Sequence, residues 1–155
     1  MFYSTKKLGP ISTCHRNWHA ARNTNRDSRK CALIHGYSRY IEFTFQGDLD
    51  EFSWVYDFGD CGMIKQWLND HWDHKVLIAA NDPQLEQIKQ MHDLNIIHAT
   101  IIPSDDRGWG PGIEGSCKWV YDIINPMILE KTNGRVSINT VRIWEHEQNT
   151  AIYQP

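Results

Sequence analysis

The four cysteines, Cys14, Cys31, Cys61 and Cys117, stand far apart and form no Cys-x-x-Cys pair. That spacing excludes a zinc ribbon and gives no disulfide framework, so any cysteine with a role is expected to act as a free thiol. No window approaches the roughly 20 continuous apolar residues of a membrane span, and the opening stretch, residues 1–7, lacks the apolar core of a signal peptide. The chain therefore reads as cytoplasmic, without a membrane partner. Internal repeats, low-complexity tracts and linkers rich in Gly, Ser or Pro are absent as well, which leaves 1–155 as a single domain. What is present is the profile of a soluble globular unit, with 41% apolar, 23% charged and 12% aromatic residues. A domain of this length buries about two-thirds of its unfolded surface, enough for a core without cross-links.

Acidic side chains are nearly missing from the first 40 residues, which hold eight cations (Lys6, Lys7, Arg16, Arg22, Arg26, Arg29, Lys30, Arg39) against Asp27 alone. The net charge of −3 thus conceals +7 in that segment and −10 in the rest. Such a segment is either a focused site for an anion such as a polyphosphate or a solvated loop. Nucleic acid is not an expected partner, because the segment carries no recognised binding motif and a single tryptophan, Trp18.

The pattern of apolar residues predicts an α+β domain. Tyr40, Ile41, Phe43 and Phe45 favour a strand over 37–45, followed by a turn at Gln46 to Asp50. A helix is expected over 58–68 behind Asp57 or Asp60 as cap, and a shorter one from Pro83 with Leu85, Ile88 and Met91 on one face. Residues 95–102 read as a buried strand. Cys117, Val120, Ile124 and Ile128 form the stripe of a second long helix over 113–129, which Pro126 is expected to kink or end. In 136–144 the apolar alternation changes phase between Ile138 and Val141, which calls for a bulge near Asn139 and Thr140. Residues 149–153 then complete a hairpin.

Four clusters could carry chemistry: Cys14-His15 with His19, Cys31 with His35 and Tyr37, Trp72-Asp73-His74, and Glu145-His146-Glu147. Cys31 follows two cations, the setting that activates a thiol, although a lone cysteine is more often a small buried hydrophobe. Asp73-His74 is either a carboxylate orienting an imidazole or part of a turn. Glu145, ending an apolar strand, is costly to bury without a two-pronged donor.

In this order the clusters resemble the 6-pyruvoyl tetrahydropterin synthase family, and within it the bacterial 6-carboxytetrahydropterin synthases of 7-deazaguanine biosynthesis. Cys14-His15-Arg16 is similar to the end of the family's Phe-x-Ala-Ala-His-Arg, and Cys31-x-x-x-His35-Gly36-Tyr37-Ser38 to its Cys-x-x-x-His-Gly-His-Ser. Val55-x-Asp57-Phe58 resembles Val-x-Asp-Phe, and Asp73-His74-x-x-Leu77 resembles Asp-His-x-x-Leu. Glu145 precedes Tyr153 by the family's interval between its pterin-anchoring Glu and a late aromatic.

The resemblance implies a tunnelling fold (T-fold): an antiparallel four-stranded sheet with two long helices packed on one face. It also implies a homo-oligomer, a trimer or hexamer with active sites between subunits. The implied substrate is 7,8-dihydroneopterin triphosphate, a small-molecule pterin. By the same resemblance Cys31 is the general base, Asp73 and His74 are the proton relay, Glu145 is the pterin clamp, and His15 and His35 are zinc ligands. Tyr37 stands where the family has its third histidine, so the third ligand is open between His19 and Tyr37. Arg39 stands where the family usually has an aromatic or apolar residue. The rival readings are a 6-pyruvoyl tetrahydropterin synthase and a non-catalytic, metal-poor pterin-binding protein.

Overall fold

A computed structural model of the chain describes residues 1–105 and 110–155. Its six strands are β1 (Phe2–His15), β2 (His35–Gly47), β3 (Lys75–Ala79), β4 (Ala99–Ile102), β5 (Val136–Trp144) and β6 (Thr150–Tyr153). They form one sheet in the order β4-β3-β1-β2-β5-β6. The four strands β1, β2, β5 and β6 pair antiparallel, as expected, but β3 and β4 add a parallel wing beside β1. The sheet is therefore mixed and six-stranded rather than four-stranded. In β3 the residues from Val76 to Ala79 are all buried, so the strand carries the continuous apolar run of a parallel strand and shows no alternation.

The helices are α1 (Gly62–His71), α2 (Leu85–Asp93) and α3 (Ile113–Lys131). Asp57 caps the short 3-10 turn that leads into α1, accepting from the Gly59 amide at 2.7 Å. α2 starts at Leu85 rather than Pro83, and Asp82 accepts from the Gln84 amide at its entry. α3 runs on through Pro126 to Lys131 instead of stopping there. β4 occupies only Ala99–Ile102, because Asn95 takes a left-handed conformation (φ 57) that turns the chain after α2.

Ile64 and Leu68 of α1, and Cys117, Val120, Ile124 and Ile128 of α3, share one core with Ile41, Phe43 and Phe45 of β2. α2 lies on the opposite face, where Ile88 meets Val76 and Ile78. Two register slips shape the sheet. β5 gains one residue between Thr140, opposite Thr44, and Ile138, opposite Phe45, which places the bulge at Asn139 as the phase change requires. β1 gains one between Leu8 and Ile11. Gly9 sits there at φ 119, and a Cβ on it would stand 2.8 Å from the Arg39 carbonyl oxygen.

Candidate active site

β1 ends, β2 begins and β5 ends at the same margin of the sheet, so residues distant in sequence meet there. His15 pairs with His35 across the β1–β2 ladder, their ring centroids 4.5 Å apart. Alternation along β2 then places Tyr37 and Arg39 on the same side as His35. The Tyr37 ring lies 5.6 Å from His35 and 6.1 Å from His15. Gly36 opposes Cys14 on the rung next to the histidine pair, and a Cβ there would come within 2.6 Å of the Cys14 Cβ. Its lack of a side chain is what lets the two strands close at this point.

Glu145 follows β5 directly. Burial, then the hydrogen bond and charge of Glu145, push the Tyr37 hydroxyl above its usual range, so the phenol stays protonated as a donor to that carboxylate. Lys7, Tyr37, Ser38, Tyr40, Trp144 and Glu145 border a hollow of about 700 Å³, within the size range of small-molecule sites. The Lys7 ammonium sits over the Trp144 and Tyr40 rings at 4.1 and 4.7 Å, leaving a cation on the wall facing Glu145.

The two histidines are wired differently. His35 Nδ1 donates to the Leu33 carbonyl at 2.6 Å, which leaves Nε2 with a free lone pair. His15 Nδ1 instead accepts from Arg39 Nη2 at 2.6 Å, since a guanidinium has only donors. Burial, then Arg39 and His35, lower the His15 pKa to about 2, so its imidazole is neutral and its proton sits on Nε2. Arg39 itself is wholly buried, with the Trp72 ring 5.5 Å from its guanidinium carbon.

One donor atom each from His15, His35 and Glu145 lie within 4.8 Å of one another. Two imidazoles and a carboxylate are a set that catalytic zinc uses. His35 and Glu145 fit that role. His15 does not, because the nitrogen not engaged by Arg39 carries the proton and has no lone pair to give. The third group offered is Glu145 and not His19, which stacks on Trp18 at 3.9 Å and accepts from Arg22 outside this group.

The other expected residues are placed as follows. Cys31 is exposed, at the end of a 3-10 turn, and is near enough to act electrostatically on Tyr37. Asp73 accepts from His74 Nδ1 at 2.9 Å, on the turn between α1 and β3, where His74 takes φ 56. His74 borders a neighbouring hollow with Cys14, Tyr37 and Ser38 rather than the one that Glu145 closes. Of the amino-terminal cations, Arg16 is tied to buried Asp82 at 2.8 Å and Arg39 lies beneath His15. Arg22, Arg26, Arg29 and Lys30 remain exposed in the loop between β1 and β2. Arg39 is the site residue that the sequence reading counted among the amino-terminal cations and noted as a departure from the family without giving it a role, although the alternation that aligns 35 with 37 also includes 39.

A sheet of this topology, with long helices on one face and its pocket at the strand ends, places the molecule among the T-fold proteins. The chain belongs to the 6-pyruvoyl tetrahydropterin synthase family, whose model matches residues 6–155. It is 28% identical over 127 residues to the 6-carboxy-5,6,7,8-tetrahydropterin synthase of Aquifex aeolicus, covering 81% of this chain and 76% of that protein. Among solved structures it resembles an uncharacterized protein from Wolinella succinogenes, with TM-score 0.79, 16% identity, and 99% and 97% of the two chains covered. It also resembles the 6-pyruvoyl tetrahydropterin synthase of Caenorhabditis elegans, with TM-score 0.62, 16% identity, and 100% and 97% covered. No helix among the described residues is long and apolar enough to cross a membrane.

Proposed function

We propose that the protein is a 6-carboxy-5,6,7,8-tetrahydropterin synthase, a lyase-type enzyme acting on 7,8-dihydroneopterin triphosphate in the cytoplasm. The observation that carries this reading is Glu145, a carboxylate beside Tyr37 at the mouth of a small-molecule hollow in a chain of this family. An ionised carboxylate there accepts two parallel N–H groups from a pterin edge. Cys31 stands on the loop beside this hollow, where its thiolate serves as the base toward a carbon-bound proton of the substrate side chain. Asp73 orients His74 through Nδ1, leaving Nε2 to take and return a proton. The exposed arginines between β1 and β2 provide counter-charge for the triphosphate.

Because His74 and Glu145 border different hollows, the complete site is assembled from two copies of the chain in a homo-oligomer. The Arg39–His15 contact favours a second reading, in which a pterin is bound without being turned over. Incubation of the purified protein with 7,8-dihydroneopterin triphosphate, followed by mass spectrometry, separates the two. Release of triphosphate with formation of 6-carboxytetrahydropterin supports the synthase, and recovery of unchanged substrate from a complex supports the binder.

A further inference from the structure

We propose that Arg39 is a buried cation beneath this site and that, through His15, it makes the site a hydrogen-bond donor to a ligand oxygen rather than a divalent-metal centre. The contact between Arg39 Nη2 and His15 Nδ1, at 2.6 Å, is the first ground. An arginine can only donate, so the ring nitrogen facing it must accept. The argument holds whichever ring nitrogen faces Arg39, because a neutral imidazole has one bare nitrogen and one N–H. With the bare nitrogen occupied, His15 offers its neighbours a proton.

A second ground is the state of Arg39 itself. It is fully buried, and its Nε and Nη1 have no hydrogen-bond partner among the described residues. A buried cation with unspent donors is costly unless something accepts from them. Among the charges that act on the guanidinium Glu145 has the largest effect, and among the described residues it makes no hydrogen bond to Arg39 Nε or Nη1. Among the described residues the His15 ring nitrogen is the acceptor that meets the guanidinium, so breaking that bond to free His15 for a metal would leave the cation with none.

The third ground is coupling along the strand. Tyr37 and Arg39 are two residues apart on one face of β2, so an unusual phenol and an unusual cation enter the pocket together. The phenol donates to Glu145 and the cation donates to His15. Both changes turn positions that could offer lone pairs into donors. The resulting site presents neutral His15 Nε2–H, backed by a guanidinium, to an oxygen of a bound ligand. A neutral imidazole donating to a ligand oxygen is established in protein sites. Arg39 is here a positioning residue acting through His15.

The test needs no pterin, so its outcome is independent of the function proposed above. The full chain is labelled with 15N in its histidine rings, and His15 is assigned by comparison with His15→Gln. A neutral His15 with one protonated and one bare nitrogen, unmoved by one equivalent of zinc, is the result expected. A doubly protonated ring, or ring shifts that move when zinc is added, overturns the proposal. Calorimetric zinc titration supplies a second readout: Arg39→Leu frees the His15 nitrogen and is expected to bind zinc at least 10-fold more tightly than the unaltered chain, the scale on which groups hydrogen-bonded to a ligand imidazole alter affinity. Equal or weaker binding by Arg39→Leu also overturns it. If that variant does not fold by circular dichroism, the ring shifts of the unaltered protein decide alone.

Discussion

Glu145 and Cys31 are the two side chains whose removal reads out most directly. Replacing Glu145 by Gln keeps the shape but removes the charge that meets a pterin edge. Charge-assisted bonds of this kind contribute about 1.5–3 kcal/mol, so affinity for 7,8-dihydroneopterin is expected to fall by roughly 10-fold or more in calorimetry, and a change below about threefold rejects the clamp. Cys31 should be the first thiol alkylated by iodoacetamide at neutral pH. Cys61 and Cys117 are fully buried, burial pushes both thiols up, the second to about 12, and Cys14 is shielded and raised as well. Mass spectrometry of the folded protein showing Cys61 or Cys117 labelled ahead of Cys31 counts against its role as base. At this scale the sequence made His15, His35, Tyr37 and Glu145 legible as a group, because each sits in a short motif. Arg39 was legible as an amino-terminal cation and a departure from the family, but nothing local reveals its partner: His15 lies 24 residues upstream on another strand, and only the β1–β2 register joins them.

Among the elements, the phase change in β5 was readable because an antiparallel strand with one face on the core alternates, and a single extra residue breaks the alternation visibly. β3 and the short extent of β4 were not readable for the opposite reason. A parallel strand covered on both faces has no alternation, and Val76 to Ala79 in isolation looks like any apolar run. Gly36 gives this scale its test. On the rung beside the histidine pair, an alanine Cβ would stand 2.6 Å from the Cys14 Cβ and 2.8 Å from the Thr13 carbonyl oxygen, both on β1. Neither atom belongs to a flexible side-chain end, so the strands must part. Gly36→Ala is expected to cost about 1–3 kcal/mol, the usual penalty for overpacking, measured as a lower midpoint in urea with an unchanged slope. Unaltered stability would show that the β1–β2 ladder can relax here without loss.

For the whole molecule, the decisive question is whether one chain holds a complete site. Cys31 acts on Tyr37 beside the hollow that Glu145 closes, whereas His74, paired with Asp73, borders the next hollow and is largely open to solvent. The side chain of His74 is 78% exposed, more than a working relay in a water-poor site can afford unless something covers it. A second copy of the chain is the natural cover, since closed symmetric rings are the common form of soluble homo-oligomers. Complementation tests this without a structure of the assembly. Cys31→Ala and Asp73→Asn each disable one half of the site, and each variant alone should be inactive toward 7,8-dihydroneopterin triphosphate. If every site takes Cys31 from one copy and Asp73 from its neighbour, random mixing of equal amounts leaves about a quarter of the sites with both halves intact. Co-expressed variants should then recover about a quarter of the unaltered turnover. A mixture as dead as its components, with the assembly intact by analytical ultracentrifugation, means that base and relay belong to the same chain and that a movement within it must bring His74 to Cys31.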